Sequence, residues 1–399
     1  MVIYLSVLNI RKLIPLFLAL IIVSAVVSFT AFTFTGFYKT ALSLVGDGGG
    51  VLIVYSESAK TPQTSIISLS AYDKLKILDG VEALSPEVVA VALAGESPVI
   101  VRGIDLELFS SFYDLQPVKG ALLLNHSDQA LAGSRLATRL NLRPGDRLIL
   151  RSVFSNSFLE VRIVGIFESK STLDDELLVP IYAAQWLRGL PRDAISMLRV
   201  KVDPSKLTRN DLLTYLSGEK KEFREKSTPI LESKLMRLLT VPRARKYAAG
   251  YVVEDPEESM KGFLERGVRI NEVMIWGILA VIIFGSAFTI YLIHSLILAS
   301  GSKELTIIRS LGASIRRLII SITFFTALAS LISSVIGLAL GALLSEMFSG
   351  LGVIILGSYS VMPSLTLSSA IMVVISIILI SSIGTILELK TILSGGSET

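Results

Sequence analysis

VMIWGILAVIIFGSAFTIYLIHSLILA, residues Val273–Ala299, contains no Asp, Glu, Lys or Arg. The hydrocarbon core of a bilayer is about 30 Å thick and takes about 20 apolar residues of helix to cross. An ionised side chain at its centre costs about 2.5–3.5 kcal/mol, so a charge gap of this length reads as a membrane span. Three further runs pass the same test: Leu13–Phe34, which follows Arg11 and Lys12, Leu318–Leu344 and Leu365–Leu387. The first is longer than the apolar stretch of a signal peptide and has no clear Ala-x-Ala cleavage site, so it reads as a retained anchor. Composition agrees, because 51% hydrophobic residues, 18% charged residues and a mean hydropathy of +0.65 place the chain among membrane proteins.

Basic residues set the orientation. Cytoplasmic segments carry the excess of Lys and Arg. Arg11, Lys12, Lys303, Arg309, Arg316, Arg317 and Lys390 all fall in segments 1–12, 300–317 and 388–399, whereas Ser349–Ser364 has no charge. Both termini are therefore expected in the cytoplasm and Thr35–Glu272 outside it. The expected order is a cytoplasmic N-terminus (1–12), span 1 (13–34), an outer α/β domain (35–203), a charged helical stalk (204–272) and span 2 (273–299). A cytoplasmic helix (300–317), span 3 (318–344), an outer loop (345–364), span 4 (365–387) and a cytoplasmic C-terminus (388–399) complete it.

The outer segment is long enough for its own core. Strands are expected at Val51–Tyr55, Ser97–Arg102, Arg147–Val153, Phe158–Phe167 and Leu177–Ile181. Leu159, Val161 and Ile163 alternate with Glu160 and Arg162, as a half-buried strand requires. Helical patterns lie at Ser70–Leu78, Leu106–Phe112 and Gly133–Leu140, and Pro144-Gly145-Asp146 marks a turn. From Pro204 to Ile270 charges become dense, and Leu212, Tyr215 and Leu216, then Leu231, Leu235, Leu238 and Leu239, are spaced as in helices. Val241–Lys246 reads as a loop or a basic patch for anionic headgroups.

Chemistry is sparse. With no Cys there is no disulfide, thiolate nucleophile or Cys metal site. A net charge of +4 without a basic stripe carrying interleaved aromatics excludes a nucleic-acid partner. No Walker, His-Glu-x-x-His or Gly-x-Ser-x-Gly pattern occurs, so no catalytic, cofactor-binding or metal-binding residue is expected in the chain. Asp174-Asp175-Glu176 lacks the further spaced oxygen ligands that calcium needs and reads as a surface turn. Asn125-His126-Ser127 matches the glycosylation acceptor pattern, a match short enough to arise by chance. His294 lies near one end of its span, where a packing or interfacial role outranks a proton relay. Gly337-x-x-x-Gly341 has the spacing of close helix packing, read here as intramolecular.

The most informative short segment joins spans 2 and 3. In Ser302–Leu318, residues Leu305, Ile308, Leu311 and Ile315 fall near one helical face, with Glu304, Arg309 and Arg316 displaced from it. That pattern suits an amphipathic helix along the membrane surface, with a bend at Gly312. Lys303-Glu304, Arg309 and Leu311-Gly312-Ala313 resemble the signature of FtsX-like permeases, and span 3, with Gly337 and Gly341, is similar to that family's small-residue-rich third helix. The outer segment resembles the core domain of MacB-type permeases at Arg102-Gly103-Ile104-Asp105, Gly120, Ala132–Ala137, Leu142–Asp146 and Val164-Gly165-Ile166, in the same order. The 204–270 stretch and the end at Leu387–Leu393 match the family less well.

That resemblance implies a non-catalytic permease subunit of an ABC transporter, paired with a second permease copy or paralogue and with two copies of a separate ATPase subunit. ATP and Mg would be bound by the ATPase, and membrane lipids would surround the spans. It implies that Lys303, Glu304, Ile308, Arg309, Leu311, Gly312, Ala313, Arg316 and Arg317 form the coupling interface. Through it the ATPase would drive mechanotransmission, with the first two helices carrying motion outward to export or extract a substrate. A signaller of the cell-division FtsX kind, which regulates an extracytoplasmic hydrolase without transport, is the alternative; the size of the outer domain favours the transporter. A passive membrane-anchored binding protein would leave the Lys303–Arg317 signature without a purpose.

Overall fold

The computed structural model describes residues 10–46, 50–225, 250–350 and 354–394. The chain divides into two compact units. One takes the residues up to Lys39, Asn271–Ile354 and Val361 onward; the other takes Thr40–Ile270 and Ile355–Ser360.

The first unit contains four helices long and apolar enough to cross a membrane. They are span 1 (Ile10–Leu42), span 2 (Glu272–Ser300), span 3 (Ile315–Gly350) and span 4 (Leu367–Ser394). Leu16, Leu20 and Val27 of span 1 share a core with Ile275, Leu279 and Ile290 of span 2 and Val373 and Ile377 of span 4. Spans 1 and 3 meet through small residues: a Cβ at Gly337 would lie 2.5 Å from Ser24 Cβ, and one at Gly341 2.6 Å from Ser28 Cβ. Without a hydrophobic force between helices in lipid, this backbone approach is what dispersion requires. Ser24 Oγ donates to the Ser334 carbonyl at 3.2 Å across the same seam. The Gly337-x-x-x-Gly341 spacing thus serves packing within the chain.

The second unit is the outer α/β domain. Its elements in chain order are β1 (Val51–Ser56), β2 (Ile67–Ser68), α1 (Ser70–Lys76), β3 (Val81–Ala94), β4 (Ser97–Ile104), α2 (Leu106–Phe109), β5 (Gln116–Gly120), β6 (Gln129–Gly133) and α3 (Ser134–Leu140). Then follow β7 (Arg147–Ser152), β8 (Phe158–Glu168), β9 (Glu176–Pro180), α4 (Ile181–Arg188), β10 (Ala194–Ile195), β11 (Met197–Val202), α5 (Arg209–Glu225), β12 (Tyr251–Glu254) and α6 (Pro256–Phe263). A hairpin of β13 (Ile355–Leu356) and β14 (Tyr359–Ser360) completes the unit. Ten strands form one sheet in the order β12-β1-β11-β3-β4-β9-β6-β8-β5, with β7 pairing to both β3 and β8. The pairs β4–β9 and β6–β8 are parallel and the others antiparallel.

Each expected strand and helix of residues 51–181 has its counterpart. In β8, Val161 and Ile163 are fully buried while Glu160 and Arg162 are exposed. The turn at Pro144-Gly145-Asp146 is closed by Asp146 N donating to the Arg143 carbonyl, with Gly145 at φ 100. The longest strand, β3, carried no expectation. Its interior Pro86 argues against a central strand, and buried on both faces it shows no period-two alternation.

The 204–272 stalk is corrected. Leu212 and Leu216 of α5, both 0% exposed, pack into the core of the outer domain, and β12 adds to the sheet beside β1. The charges lie on the outward side, where Arg209 pairs with Glu258 at 2.9 Å and Glu254 at 3.4 Å. Nor does the chain run straight into span 2. Arg269 takes a left-handed φ of 61, and span 2 starts anew with Asn271 Oδ1 accepting from Met274 N at 2.8 Å. The helical pattern at Leu231–Leu239 and the basic patch at Val241–Lys246 lie outside the described residues.

Candidate coupling sites

Between spans 2 and 3 the chain forms a short connector helix, Ser302–Ser310. Leu305 is 4% exposed and plugs into a cluster with Leu298 of span 2, Ile322 of span 3 and Leu389 of span 4. Ile308 is half-buried. The helix ends before Gly312, whose φ of 93 is open to glycine without a steric cost, and span 3 begins at Ile315. This turn corrects the single apolar face expected over Leu305–Ile315. Leu311 lies past the helix end and is 81% exposed, out of register with Leu305. Gly312, Arg316 and Arg317 are exposed and Ala313 is half-buried. The backbone of Lys303, Glu304 and Arg309 is on the connector helix; their side chains lie outside the described residues.

Directly behind the connector, spans 2, 3 and 4 are joined by polar contacts. Glu388 belongs to span 4 and not to a terminal tail; it is 8% exposed and accepts from Ser295 Oγ at 3.0 Å and Tyr291 Oη at 3.3 Å. His294 is buried, with Nδ1 2.9 Å from the Ile290 carbonyl and Nε2 3.2 Å from Ser381 Oγ. Thr385 Oγ1 reaches Thr326 Oγ1 at 3.2 Å. His294 thus packs between spans 2 and 4. Sequence reading missed Glu388 because it follows Leu387 at the edge of the charge-free run.

The outer domain holds a second constellation. Glu87 of β3 and Arg199 of β11 are neighbours in the sheet, as are Arg102 of β4 and Glu176 of β9, and all four side chains are at most 1% exposed. Arg199 Nε donates to Glu87 Oε1 at 2.7 Å, and Arg102 Nη1 to Glu87 Oε2 at 2.5 Å. Arg102 also grips Glu176 with both Nε, at 2.6 Å, and Nη2, at 2.7 Å. Two cations and two anions balance, so the group is neutral as a whole, the condition under which buried charge is tolerated. Burial pushes the Glu87 carboxyl up, but attraction to Arg199 and Arg102 outweighs it and holds the group below the ordinary carboxylate range.

The acidic triplet, expected at a surface turn, is corrected: Asp174, Asp175 and Glu176 are 1%, 0% and 0% exposed. Arg135 holds Asp174 at 3.2 Å and Asp175 at 2.8 Å, and its Nη2 also donates to the Ser171 carbonyl. Charge density misled the sequence reading, because the compensating arginines stand far away in the chain on α3 and β4. The hairpin closes over this region. Tyr359 Oη donates to Glu176 Oε1 at 2.7 Å, Ser360 Oγ to Asp175 Oδ1 at 2.8 Å, and Arg139 Nη1 to the Ser358 carbonyl at 2.6 Å. Burial and the Glu176 charge push the Tyr359 hydroxyl well above its ordinary range, so it stays a proton donor. No group of metal-ligating side chains occurs among the described residues.

The family model of the MacB-like periplasmic core domain matches residues 16–209. Among solved structures, the periplasmic region of MacB from Actinobacillus actinomycetemcomitans is 14% identical, covering 55% of this chain and 94% of its own, with a TM-score of 0.34. The extracellular domain of the noncanonic ABC-type transporter YknZ from Gram-positive bacteria is also 14% identical, covering 51% of this chain and 100% of its own, with a TM-score of 0.32. At these TM-scores the structural likenesses add no argument to the family match. No curated protein sequence matches the chain. With four candidate spans and an α/β domain set between the first and the second, the chain carries a MacB-like periplasmic core domain over residues 16–209.

Proposed function

We propose that the chain is the membrane-spanning, non-catalytic subunit of an ATP-driven transporter of the MacB/FtsX type. A separate ATPase subunit binds ATP and Mg, and its closure moves the outer domain of this chain and of a second permease copy or paralogue, exporting or extracting a substrate by mechanotransmission. Both termini and the connector face the cytoplasm on this reading, in line with the basic residues at Arg11, Lys12, Lys303, Arg309, Arg316, Arg317 and Lys390.

One observation carries the reading. The connector pairs a buried plug, Leu305, with a bare apolar tip, Leu311, beside the exposed cations Arg316 and Arg317. An 81% exposed leucine at a sharp turn gains from burial only against a partner, about 1.5–3 kcal/mol for a fully buried side chain. The plug passes any displacement of that tip to the ends of spans 2, 3 and 4. Co-expression with an ABC ATPase encoded beside it tests the reading. A co-purifying, ATP-hydrolysing complex that is lost with Arg309→Glu and weakened by Glu304→Ala is the expected result; a chain that purifies alone overturns it.

A further inference from the structure

The outer domain contains a continuous buried path that the coupling account does not use. It starts where the chain has just left span 1: the Val45 carbonyl accepts from Arg199 Nη2 at 2.7 Å, and the Ser43 carbonyl from Thr172 Oγ1 at 2.9 Å. From Arg199 it runs through Glu87, Arg102 and Glu176 to Tyr359, every donor–acceptor step being 2.5–2.7 Å. It ends on the hairpin that links span 3 to span 4. A second path lies beside it, since the segment that carries Thr172 also carries Asp175, the acceptor of Ser360. Gly46, at φ 127, has no room for a side chain: a Cβ there would lie 2.4 Å from Tyr113 Oη and 2.6 Å from Arg199 Nη1.

We infer that residues 355–360 form a pinned joint: the buried chain Arg199–Glu87–Arg102–Glu176–Tyr359, with Asp175–Ser360 beside it, locks the segment leaving span 1 and the span 3–span 4 hairpin to each other inside the outer domain. Charge-assisted bonds are directional and about twice as strong as neutral ones, and in a buried site they fix geometry where apolar packing would allow sliding. Glu176 is the centre of the joint. Its two oxygens are shared between a bidentate guanidinium and the Tyr359 hydroxyl, so the hairpin cannot shift along β9 without leaving a buried carboxylate short of a donor. Tyr359, Ser360 and Glu176 are positioning residues. The outer domain then holds both the segment that follows span 1 and the hairpin between spans 3 and 4. The use of this joint in transmission rests on the function proposed above; the joint itself does not.

The absence of native Cys makes site-directed spin labelling free of background. Labels at Ile355→Cys on the hairpin and Ile149→Cys on β7, 43% and 62% exposed, report the hairpin position in the full chain in nanodiscs. The joint predicts one narrow distance peak, lost in Tyr359→Phe/Ser360→Ala while Trp186 fluorescence in a Trp276→Phe background shows the outer domain still folded. Arg139→Gln, which removes the bond to the Ser358 carbonyl from a partly exposed side chain, serves if the double variant unfolds and is expected to broaden the same peak. An unchanged narrow peak in a folded variant overturns the joint. Failure of any ATPase to associate would overturn the proposed function, yet these distances would still decide the joint.

Discussion

Span 3 is preceded by the connector, residues 302–314, and followed within a few residues by the hairpin, 355–360, and different forces hold the two. The connector is held by one leucine in an apolar cluster and leaves another leucine bare. The hairpin is held by three polar contacts to buried or half-buried side chains, set against a neutral ion network. Apolar packing is non-directional and lets a helix rock; buried ion networks are costly to leave unsatisfied and admit one geometry. The contrast is that between the proposed partner surface, which can yield, and the inferred joint, which cannot.

The largest expected effect comes from breaking the anchorage. Arg102→Met leaves Glu176 with only Tyr359 and Glu87 with only Arg199, a loss of about 3–5 kcal/mol. It is read as a lowered denaturation midpoint at Trp186 in a Trp276→Phe background. The same network sets a pH dependence. Because the Glu87 pKa is lowered in the folded domain, its stabilisation is complete above the ordinary carboxylate value of 4.5 and is lost as pH falls through the folded value. Asp175 acts in the opposite sense: burial raises its pKa against Arg135 and Ser360, so its contribution is present at low pH and is lost as pH rises through the raised value. Glu87→Gln is expected to flatten the acid limb of outer-domain stability, and Asp175→Asn to leave that limb in place.

Among the spans, Leu305→Ala should cost about 2 kcal/mol by opening the apolar cluster, at the low end for Leu-to-Ala changes because the cluster is small. Gly341→Val drives a side chain toward Ser28 and the Ala25 carbonyl, and about 1–3 kcal/mol of overpacking should appear as earlier unfolding in detergent. Smaller still is Tyr359→Phe, which removes one hydroxyl while Arg102 keeps both Glu176 oxygens, about 1 kcal/mol. Leu311→Asp completes the series. Stability should change by less than about 0.5 kcal/mol, while association with the ATPase is lost, so stability and function separate at the connector and not at the joint.

Local signals and distant partners were not equally legible in the sequence. Charge gaps marked the four long apolar helices, since lipid penalises every intervening charge. Alternation in β8 and the Pro144-Gly145 turn were equally plain, being local. Three features depended on partners distant in sequence and stayed hidden. Asp174, Asp175 and Glu176 look solvent-facing until Arg135 and Arg102 are brought beside them. The charges of α5 look like a stalk until Leu212 and Leu216 find the sheet. Glu388 looks like a tail until Tyr291 and Ser295 meet it. Of the proposed coupling interface, the helix and the Gly312 bend were legible, but the split between Leu305 and Leu311 was not, because it depends on where the helix stops.

The most direct measurement concerns motion. With Val118→Cys, 49% exposed on β5, spin-labelled in two permease copies assembled with the ATPase, the distance between outer domains is recorded with and without ATP. An ATP-dependent shift that Leu311→Asp abolishes is the expected result. An assembled complex that hydrolyses ATP while the distance stays fixed would contradict it.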